Sequence, residues 1–388
     1  MDHPVTTPDW PESALRDRAH VCLVSGQSLP NLMPLLWDRA RPRELILCAT
    51  RDMTANVPVL ERFAAKRGIA VSRRDLPGTD PMAVGQALRD LVDSRPPNSL
   101  AVNLTGGTKL MALGALEAAR AADLPTFYMD TDRGKCLLLS APAFQEEPLP
   151  ELCRVADILE AHGYAVLSSD IAPVPAAIRK LTLTLIDGFD RFAKAISVFN
   201  AMAQEAARTP GHALPRRDWP AYKAFQDLLG LFRDVGTLSL DRDTVRFATE
   251  EDCFFAGGGW LEAHVKAILH RLRADGRIHD HAANVVAENA KGVRNELDAA
   301  LVARNRLFVV ECKTARMSGE EGRDEDVSYK LDTLRDVLGG IMTRAMLVSY
   351  LHLSPARRKR CREYRIRVIE GPELQHLEEK IKQWTNRT

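Results

Sequence analysis

The feature that most constrains the fold is an alternation of apolar segments with helical patterns between residues 20 and 140. The strand-like segments are His20–Val24, Glu44–Cys48, Ser99–Asn103 and Thr126–Met129, and helical patterns such as Leu32–Arg39 and Val57–Arg67 separate them. Strands that alternate with helices are typical of a parallel, doubly wound α/β sheet, which binds ligands at the carboxyl ends of its strands. We therefore expect residues 1–149 to form a Rossmann-like α/β domain.

The pattern becomes mainly helical after residue 150. Helices are predicted at Glu151–Ala161, Ala176–Ala207 and Lys223–Phe232, so we interpret residues 150–245 as a helical connector. A third section, residues 246–388, contains an amphipathic helix at Trp260–Arg273 and two strands, Glu296–Ala303 and Leu307–Thr314. The short loop Arg304-Asn305-Arg306 between these strands predicts an antiparallel hairpin in a second α/β domain.

Composition limits the class of protein. The 388 residues are 45% hydrophobic and 27% charged with a net charge of +1, which indicates a globular chain and excludes one that coats nucleic acid through bulk positive charge. A local exception is the basic run from Arg357 to Arg367, with seven cations in eleven positions. Such a run either contacts nucleic acid or forms a solvated helix face, and the sequence leaves both readings open.

The cysteines and the termini indicate a cytoplasmic protein. Seven dispersed cysteines without any C-x-x-C pair are typical of buried thiols in a reducing compartment, and they argue against structural zinc. The polar start of the chain lacks the apolar core of a signal peptide, and no stretch approaches the ~20 apolar residues of a membrane span. We expect no association with a membrane.

The two strands of the third section bring charged residues together. Side chains two apart share a strand face, so Glu311 and Lys313 point the same way. Folding the hairpin about Asn305 places Asp298 opposite residues 311–313, within one residue of register. Two carboxylates suit Mg²⁺ or Mn²⁺, and an adjacent lysine suits orientation of water or stabilisation of charge on a phosphodiester. These residues predict metal-assisted phosphodiester hydrolysis.

Glu262 is the fourth candidate. It follows the glycines Gly257–Gly259 at the start of the predicted helix, where it would complete the metal shell or orient water. A glutamate and a lysine two apart on a strand are more often a solvated polar face. Here the apolar segment Phe308–Val310 precedes them, so charges at the end of a buried strand favour a functional site.

At this point the sequence resembles the PD-(D/E)XK, or restriction-endonuclease-like, nucleases. Asp298 followed by Glu311-Cys312-Lys313 resembles their motif, Gly258–Glu262 resembles the preceding acidic helix, and Leu297 stands where the family name has proline. The resemblance extends to Tyr329-Lys330-Leu331, which is similar to the helix that often follows the core. Lys330 is a secondary candidate, with an exposed helix lysine as the ordinary interpretation.

A second motif follows the predicted strand Ser99–Asn103. Its sequence, Asn103-Leu104-Thr105-Gly106-Gly107-Thr108-Lys109, opens a helix, and its amides and lysine would form an anion site. It is neither a Walker A nor a dinucleotide motif, and such a turn is often plain geometry. Polar loops after two other strands favour a ligand pocket. The predicted pocket residues are Ser25, Gln27, Ser28, Thr50, Arg51, Thr105, Gly106, Gly107, Thr108 and Lys109.

The N-terminal segment resembles a CARF domain, the CRISPR-associated Rossmann-fold sensor, with Asn103–Lys109 as its most specific element. Together the two motifs resemble the CRISPR ancillary nucleases that join a CARF domain to a PD-(D/E)XK domain. The resemblance implies a homodimer that binds one cyclic oligoadenylate, expected to be cyclic tetra-adenylate, across its two-fold axis. It further implies that binding activates cleavage of DNA, RNA or both in type III CRISPR defence.

Two other functions remain open on the sequence. The chain would be a ligand-independent repair or restriction nuclease if its first domain only dimerised or positioned DNA. It would be a ligand-sensing transcription regulator if the helix Glu151–Ala161 belonged to a DNA-binding module. The convergence of Asp298, Glu311 and Lys313 disfavours the regulator, because a regulator has no need of it.

Overall fold

The computed structural model describes residues 14–78, 80–140, 145–215, 220–242, 244–314, 331 and 343–386. The chain divides into two compact units. The first comprises residues 1–165 with 289–292 and 304–306, and the second comprises residues 166–288, 293–303 and 307–388.

The first unit is built on a seven-stranded sheet. Its strands are β1 (Ala19–Leu23), β2 (Glu44–Ala49), β3 (Ala70–Asp75), β4 (Leu100–Asn103), β5 (Thr126–Asp130), β6 (Lys135–Leu138) and β7 (Gln145–Pro148). The strand order is β3-β2-β1-β4-β5-β6-β7, with β1 to β5 parallel and the last two antiparallel. The predicted parallel, doubly wound sheet is confirmed. Because the order reverses between β1 and β4, the loops after these strands lie at the usual ligand-binding position of such sheets.

Helices cover both faces of this sheet. They are α1 (Leu29–Leu32), α2 (Val57–Ala65), α3 (Pro81–Asp93), α4 (Lys109–Ala121) and α5 (Val155–Ala161), with 3-10 helices at Met33–Leu36 and Arg51–Asn56. One core lies between the sheet and α3 with α4, and the other between the sheet and α1 with α2. Burial on both faces explains why β1, β2 and β4 are continuous apolar runs.

The predicted helix Glu151–Ala161 begins four residues late, at Val155. The Glu151 carboxylate accepts the backbone N–H groups of Arg304 and Asn305, which belong to the same compact unit. The amides of Leu152 and Cys153 donate to the Asn305 side chain at 2.7 and 3.0 Å. Because the Glu151 carboxylate and the amides of Leu152 and Cys153 are bonded to the turn at residues 304–305, these groups do not form a first helical turn before Val155.

The second unit contains a six-stranded sheet in the order β16-β15-β14-β13-β12-β8. Its strands are β8 (Tyr164–Asp170), β12 (Asp280–Asn289), β13 (Arg294–Ala303), β14 (Arg306–Lys313), β15 (Arg344–Ser349) and β16 (Arg367–Glu370). Strands β12 and β13 are antiparallel, whereas β14, β15 and β16 are mutually parallel. A small separate sheet has the order β10-β11-β9, with β9 (Ala213–Pro215), β10 (Leu238–Leu240) and β11 (Thr244–Phe247).

The helices of this unit surround one hydrophobic core. They are α6 (Ala176–Asp187), α7 (Phe189–Ala207), α8 (Lys223–Asp234), α9 (Glu250–Phe254), α10 (Trp260–Ala274), α11 (Pro355–Glu363) and α12 (Leu377–Asn386). Further 3-10 helices lie at Pro210–His212 and Gly371–His376, and a π-helical segment lies at Phe255–Gly259. Phe199 and Phe232, from the predicted connector, are buried in the same core as Trp260 and Val310. The connector helices therefore support the sheet that carries the E-x-K motif.

The single long helix predicted at Ala176–Ala207 is wrong, because α6 ends at Asp187 and α7 begins at Phe189. Gly188 separates them, and a Cβ there would lie 2.7 Å from the Phe192 ring and 2.9 Å from the Thr184 carbonyl oxygen. Because a side chain at position 188 would clash with these atoms, the break between α6 and α7 falls at a glycine.

Two further predictions concern burial. All seven cysteines are free and buried, as expected for thiols that serve as small hydrophobic groups. In the part of the chain that the structure describes, no helix is long and apolar enough to cross a membrane.

Candidate active site and sensor loop

The hairpin that carries the acidic residues turns through two residues, Arg304 and Asn305, with φ of +53° and +57°. Two successive left-handed residues match the twist of a tight hairpin. Asp298 lies five residues before the end of β13 (303 − 298), and Glu311 lies five residues after the start of β14 (311 − 306). Counting from the turn therefore places these two residues directly opposite each other.

Hydrogen bonds tie the two acidic residues to the E-x-K strand. Asp298 Oδ2 accepts the backbone N–H of Cys312 at 2.6 Å, and Glu311 Oε1 accepts from Lys313 Nζ at 2.7 Å. Glu311 is only 2% exposed, so its charge needs the lysine as a partner. The structure thus brings together Asp298, Glu311 and Lys313.

The acidic surroundings shift two pKa values. Burial alone lowers the pKa of Lys313, but the charges of Glu311 and Asp298 and the hydrogen bond to Glu311 outweigh it, so the pKa is raised. Burial, followed by the charges of Asp298, Glu262 and Glu311, raises the pKa of the Cys312 thiol well above its usual value. The lysine is therefore cationic and the thiol is neutral, so the carboxylates are the groups that could hold a metal ion.

Glu262 reaches this centre through the glycine segment. Gly258 has φ of +149°, and a Cβ there would lie 2.6 Å from Thr314 Oγ1. The glycine thereby lets the start of α10, with Glu262 in its first turn, approach the end of β14. The close approach of the glycine segment is therefore to a side chain of the protein, that of Thr314.

A cavity of about 540 Å³ lies over the same residues. Glu262, Lys313 and Thr314 line it together with Gly257–Gly259, Arg208 and Glu250. A phosphodiester that entered the cavity would meet the ammonium group of Lys313 beside the acidic residues.

Asn200 is a supporting residue that the sequence did not reveal. It is 2% exposed on α7, and its Nδ2 donates to Thr314 Oγ1 at 2.9 Å. Thr314 directly follows Lys313, so this contact fixes the end of the E-x-K strand. A separation of 114 residues hides it from sequence patterns.

The residues present fit a hard divalent cation. Within the described residues, no group of three or more His, Cys, Asp or Glu side chains is arranged to hold a metal ion. Asp298 is bonded to a backbone amide and Glu311 to the ammonium group of Lys313. Mg²⁺ needs only one or two carboxylates, with water and substrate phosphate as further ligands. The all-oxygen pair, with Glu262 nearby, meets that requirement.

The basic run forms α11 and its flanks. This helix follows β15, whose last residue, Ser349, pairs with Lys313, so the segment after β15 begins at the sheet edge that carries the site. Arg358 bonds to Glu370 at 2.6 Å, and Lys359 and Arg362 are exposed. Lys330 and Tyr329 lie outside the described residues.

In the first unit, the Asn103–Lys109 loop is organised around Asn103, which is 0% exposed. Its Nδ2 donates to Asn31 Oδ1 and to the Pro30 carbonyl, both at 3.2 Å. Its Oδ1 accepts from the Thr105 backbone N–H at 3.0 Å and from the Thr105 hydroxyl at 2.6 Å. The Thr105 hydroxyl also accepts the Met129 N–H at 2.8 Å, so this predicted ligand residue is engaged inside the protein.

The two glycines of the loop lie against β1. A Cβ on Gly106 would lie 2.0 Å from the Leu23 carbonyl oxygen, and Gly107 has φ of +74°. Thr108 caps α4 by accepting the Met111 N–H at 3.3 Å. Lys109 is exposed at the start of α4.

The other predicted pocket residues differ in exposure. Ser28 and Thr50 are 6% and 8% exposed, whereas Gln27 and Arg51 are exposed and Ser25 is intermediate. Gln27, Arg51 and Lys109 are thus the long polar side chains available to a ligand from these loops.

Two family models match the chain. Residues 19–155 match the Card1 CARF domain, and residues 249–388 match the Card1-like endonuclease domain. None of the curated proteins matches.

Solved structures share the fold over most of the chain. A protein from Vibrio cholerae, VC1899, is 25% identical with a TM-score of 0.85, covering 95% of this chain and 98% of its own. Can2 from Sulfobacillus thermosulfidooxidans, in complex with cyclic tetra-adenylate, is 22% identical with a TM-score of 0.77, covering 97% and 98%. A type III CRISPR defence DNA nuclease activated by cyclic oligoadenylate is 23% identical with a TM-score of 0.55, and this chain covers 47% of it.

The two matched domains occupy the places that the sequence motifs assigned to a sensor and a nuclease, which confirms the resemblance to a CARF domain joined to an endonuclease domain. The chain thus joins a Card1 CARF domain to a Card1-like endonuclease domain.

Proposed function

We propose that the protein is a divalent-metal-dependent endonuclease activated by a cyclic oligoadenylate, with cyclic tetra-adenylate as the messenger and type III CRISPR defence as its setting. The observation that carries the proposal is the convergence of Asp298, Glu311 and Lys313 in a chain that also contains a CARF domain. The substrate is DNA, RNA or both.

Each residue of the centre has a distinct role in this proposal. Asp298 and Glu311, with Glu262, hold Mg²⁺ or Mn²⁺. The ion, when bound, would lower the pKa of a water molecule and neutralise charge on the phosphate. The raised pKa of Lys313 keeps it cationic, which suits contact with a phosphate oxygen and stabilisation of the transition state better than general-base catalysis.

The sensor role rests on the loops at the switch point of the first sheet. A two-fold messenger suits a homodimer that presents two copies of the loops at Ser25–Ser28, Thr50–Arg51 and Thr105–Lys109. Support comes from the complex of Can2 with cyclic tetra-adenylate, a protein of the same fold. Activation requires that the messenger bind the active state more tightly than the idle state.

Cleavage assays with plasmid, single-stranded DNA and RNA test the nuclease part of the proposal. With cyclic tetra-adenylate present, we expect cleavage in Mg²⁺ or Mn²⁺ and its loss on addition of EDTA. Persistent cleavage in EDTA would contradict the metal-dependent reaction. Sedimentation of the protein with and without messenger tests the homodimer.

A further inference from the structure

Strand β12 contains one residue with left-handed backbone geometry, Asn284, with φ of +49°. The pairing of β12 with β13 is regular on either side, with Ala283 opposite Ala299 and Val285 opposite Leu297. Asn284 therefore lies opposite Asp298, with the register of β12 and β13 unchanged on either side and no residue inserted. Non-glycine residues held in left-handed backbone geometry cluster at active sites.

The position of Asn284 extends a row across three strands. Asp298 on β13 lies opposite Glu311 on β14, and Asn284 on β12 lies opposite Asp298. Opposite residues on antiparallel strands are separated by roughly 5 Å at Cβ, so the row is continuous. An amide thus stands beside the two predicted metal ligands.

A cavity of about 350 Å³ opens beside this row. Asn284, Gly259 and Glu262 line it, and Glu262 also lines the larger cavity over Lys313. Lys266 and Asp170 also line this cavity and are bonded to each other. Asn284 is exposed, and among the residues that the structure describes none bonds to its side-chain amide.

The chemistry of the row indicates what this amide binds. Three carboxylates repel a phosphodiester, and a cation at position 284 would compete with a metal ion for them. A neutral amide donates an N–H to a phosphate oxygen without either effect, and asparagine tolerates positive φ better than other residues with a side chain. We propose that Asn284 is a substrate-positioning residue whose amide binds a phosphate oxygen next to the scissile bond.

This inference rests on the proposed nuclease function, and Asn284→Gly tests it. Glycine keeps the left-handed backbone and removes only the amide. Asn98→Gly is the matched control, because Asn98 is an exposed asparagine with φ of +59° in the other unit. The measurements are kcat and KM for a fluorescein-labelled oligonucleotide with cyclic tetra-adenylate and Mn²⁺, and the thermal midpoint of each variant.

We expect Asn284→Gly to raise KM about tenfold with kcat changed much less, because one hydrogen bond to a charged oxygen is lost. The thermal midpoint should match that of Asn98→Gly. Asn284→Asp should raise KM further, because a carboxylate repels phosphate. An unchanged KM, a loss confined to kcat, a lower thermal midpoint, or full activity of Asn284→Asp would each overturn the proposal.

A binding measurement separates this inference from the function on which it rests. Fluorescence anisotropy compares oligonucleotide affinity for Asp298→Asn with that for the double variant carrying Asn284→Gly as well. We expect about tenfold weaker binding by the double variant. This result would stand even if the wild-type protein failed to cleave, whereas equal affinities would overturn the role of Asn284.

Discussion

The proposed endonuclease centre and the proposed sensor loop are stabilised by different interactions. The endonuclease centre consists of charged side chains. Glu311 is buried beside Lys313, and Asp298 accepts the backbone N–H of Cys312, the residue between them in sequence. The sensor loop consists of backbone packed against β1, with Asn103 and Thr105 bonded inside the protein. Substitutions should therefore damage the first by removing charge and the second by removing space or internal hydrogen bonds.

The largest effect is expected at the endonuclease centre. Asp298→Asn or Glu311→Gln should lower the cleavage rate by at least about a hundredfold, because each removes a carboxylate that we propose holds the metal ion. Glu296→Gln is the matched control, since Glu296 is an exposed carboxylate two residues before Asp298 on β13. Single-turnover rates with messenger present measure the effect. Comparable losses in the control would show that charge near the strand matters and that the named carboxylates do not.

A single methyl group should damage the sensor loop. Gly106→Ala places a carbon 2.0 Å from the Leu23 carbonyl oxygen, so the loop must move and messenger binding should fall sharply. We expect a loss of stability of about 3 kcal/mol, as for other overpacked sites. Gly26→Ala has no atom within 4 Å of the added carbon and should leave stability unchanged. Equal thermal midpoints for the two variants would contradict the role of close packing.

Within the sensor loop, Thr105 and Lys109 should behave differently. Thr105→Val removes the hydroxyl that joins Asn103 to Met129 and should cost about 1–3 kcal/mol of stability. Because Lys109 is exposed, Lys109→Met should leave the free energy of unfolding unchanged. Because it removes a positive charge from the loop, it should weaken binding of the anionic messenger. Calorimetric titration with cyclic tetra-adenylate and thermal unfolding separate the two effects. A Lys109→Met variant with unaltered affinity would remove this residue from the pocket.

The smallest expected effect is a loss of folding stability at acidic pH. Burial lowers the pKa of His281, which lies on β12 in the second unit, to about 4. Neither ring nitrogen has a hydrogen-bond partner among the described residues. A neutral folded histidine stabilises the fold above pH 6.5, and this contribution is lost as pH falls toward 4 because the unfolded state binds the proton. Between pH 7 and 5 we expect a loss of at most about 2 kcal/mol.

His281→Gln checks the acid effect by comparing thermal midpoints at pH 7 and pH 5. The variant should show a smaller difference between the two midpoints than the wild-type protein, whatever its stability at pH 7. An unchanged difference would mean that other groups cause the acid sensitivity.

The fold was predictable from the sequence where strands are buried on both faces. Strands β1, β2 and β4 lie within a residue of their predicted limits, because both of their faces are buried and their sequences are continuously apolar. Strand β3, with the polar sequence Ser72-Arg73-Arg74 at the sheet edge, carries no such signal and was not predicted. The break at Gly188 was missed because the helical pattern continues across it.

The sites were predictable to the extent that they depend on local spacing. Hairpin geometry and strand alternation were enough to bring Asp298, Glu311 and Lys313 together. Asn200 and Asn103 act through contacts with residues distant in sequence, and Asn284 stands out only by its backbone angle and its strand register. Periodicity encodes none of these three features.

The dependence of cleavage on the messenger tests most directly whether the sensor controls the endonuclease centre. Initial cleavage rates are measured in Mn²⁺ across a range of cyclic tetra-adenylate concentrations, and binding is measured under the same conditions. We predict that the rate rises with messenger occupancy and is negligible without it. Equal rates in the absence and presence of the messenger would contradict a gated nuclease and leave a ligand-independent one.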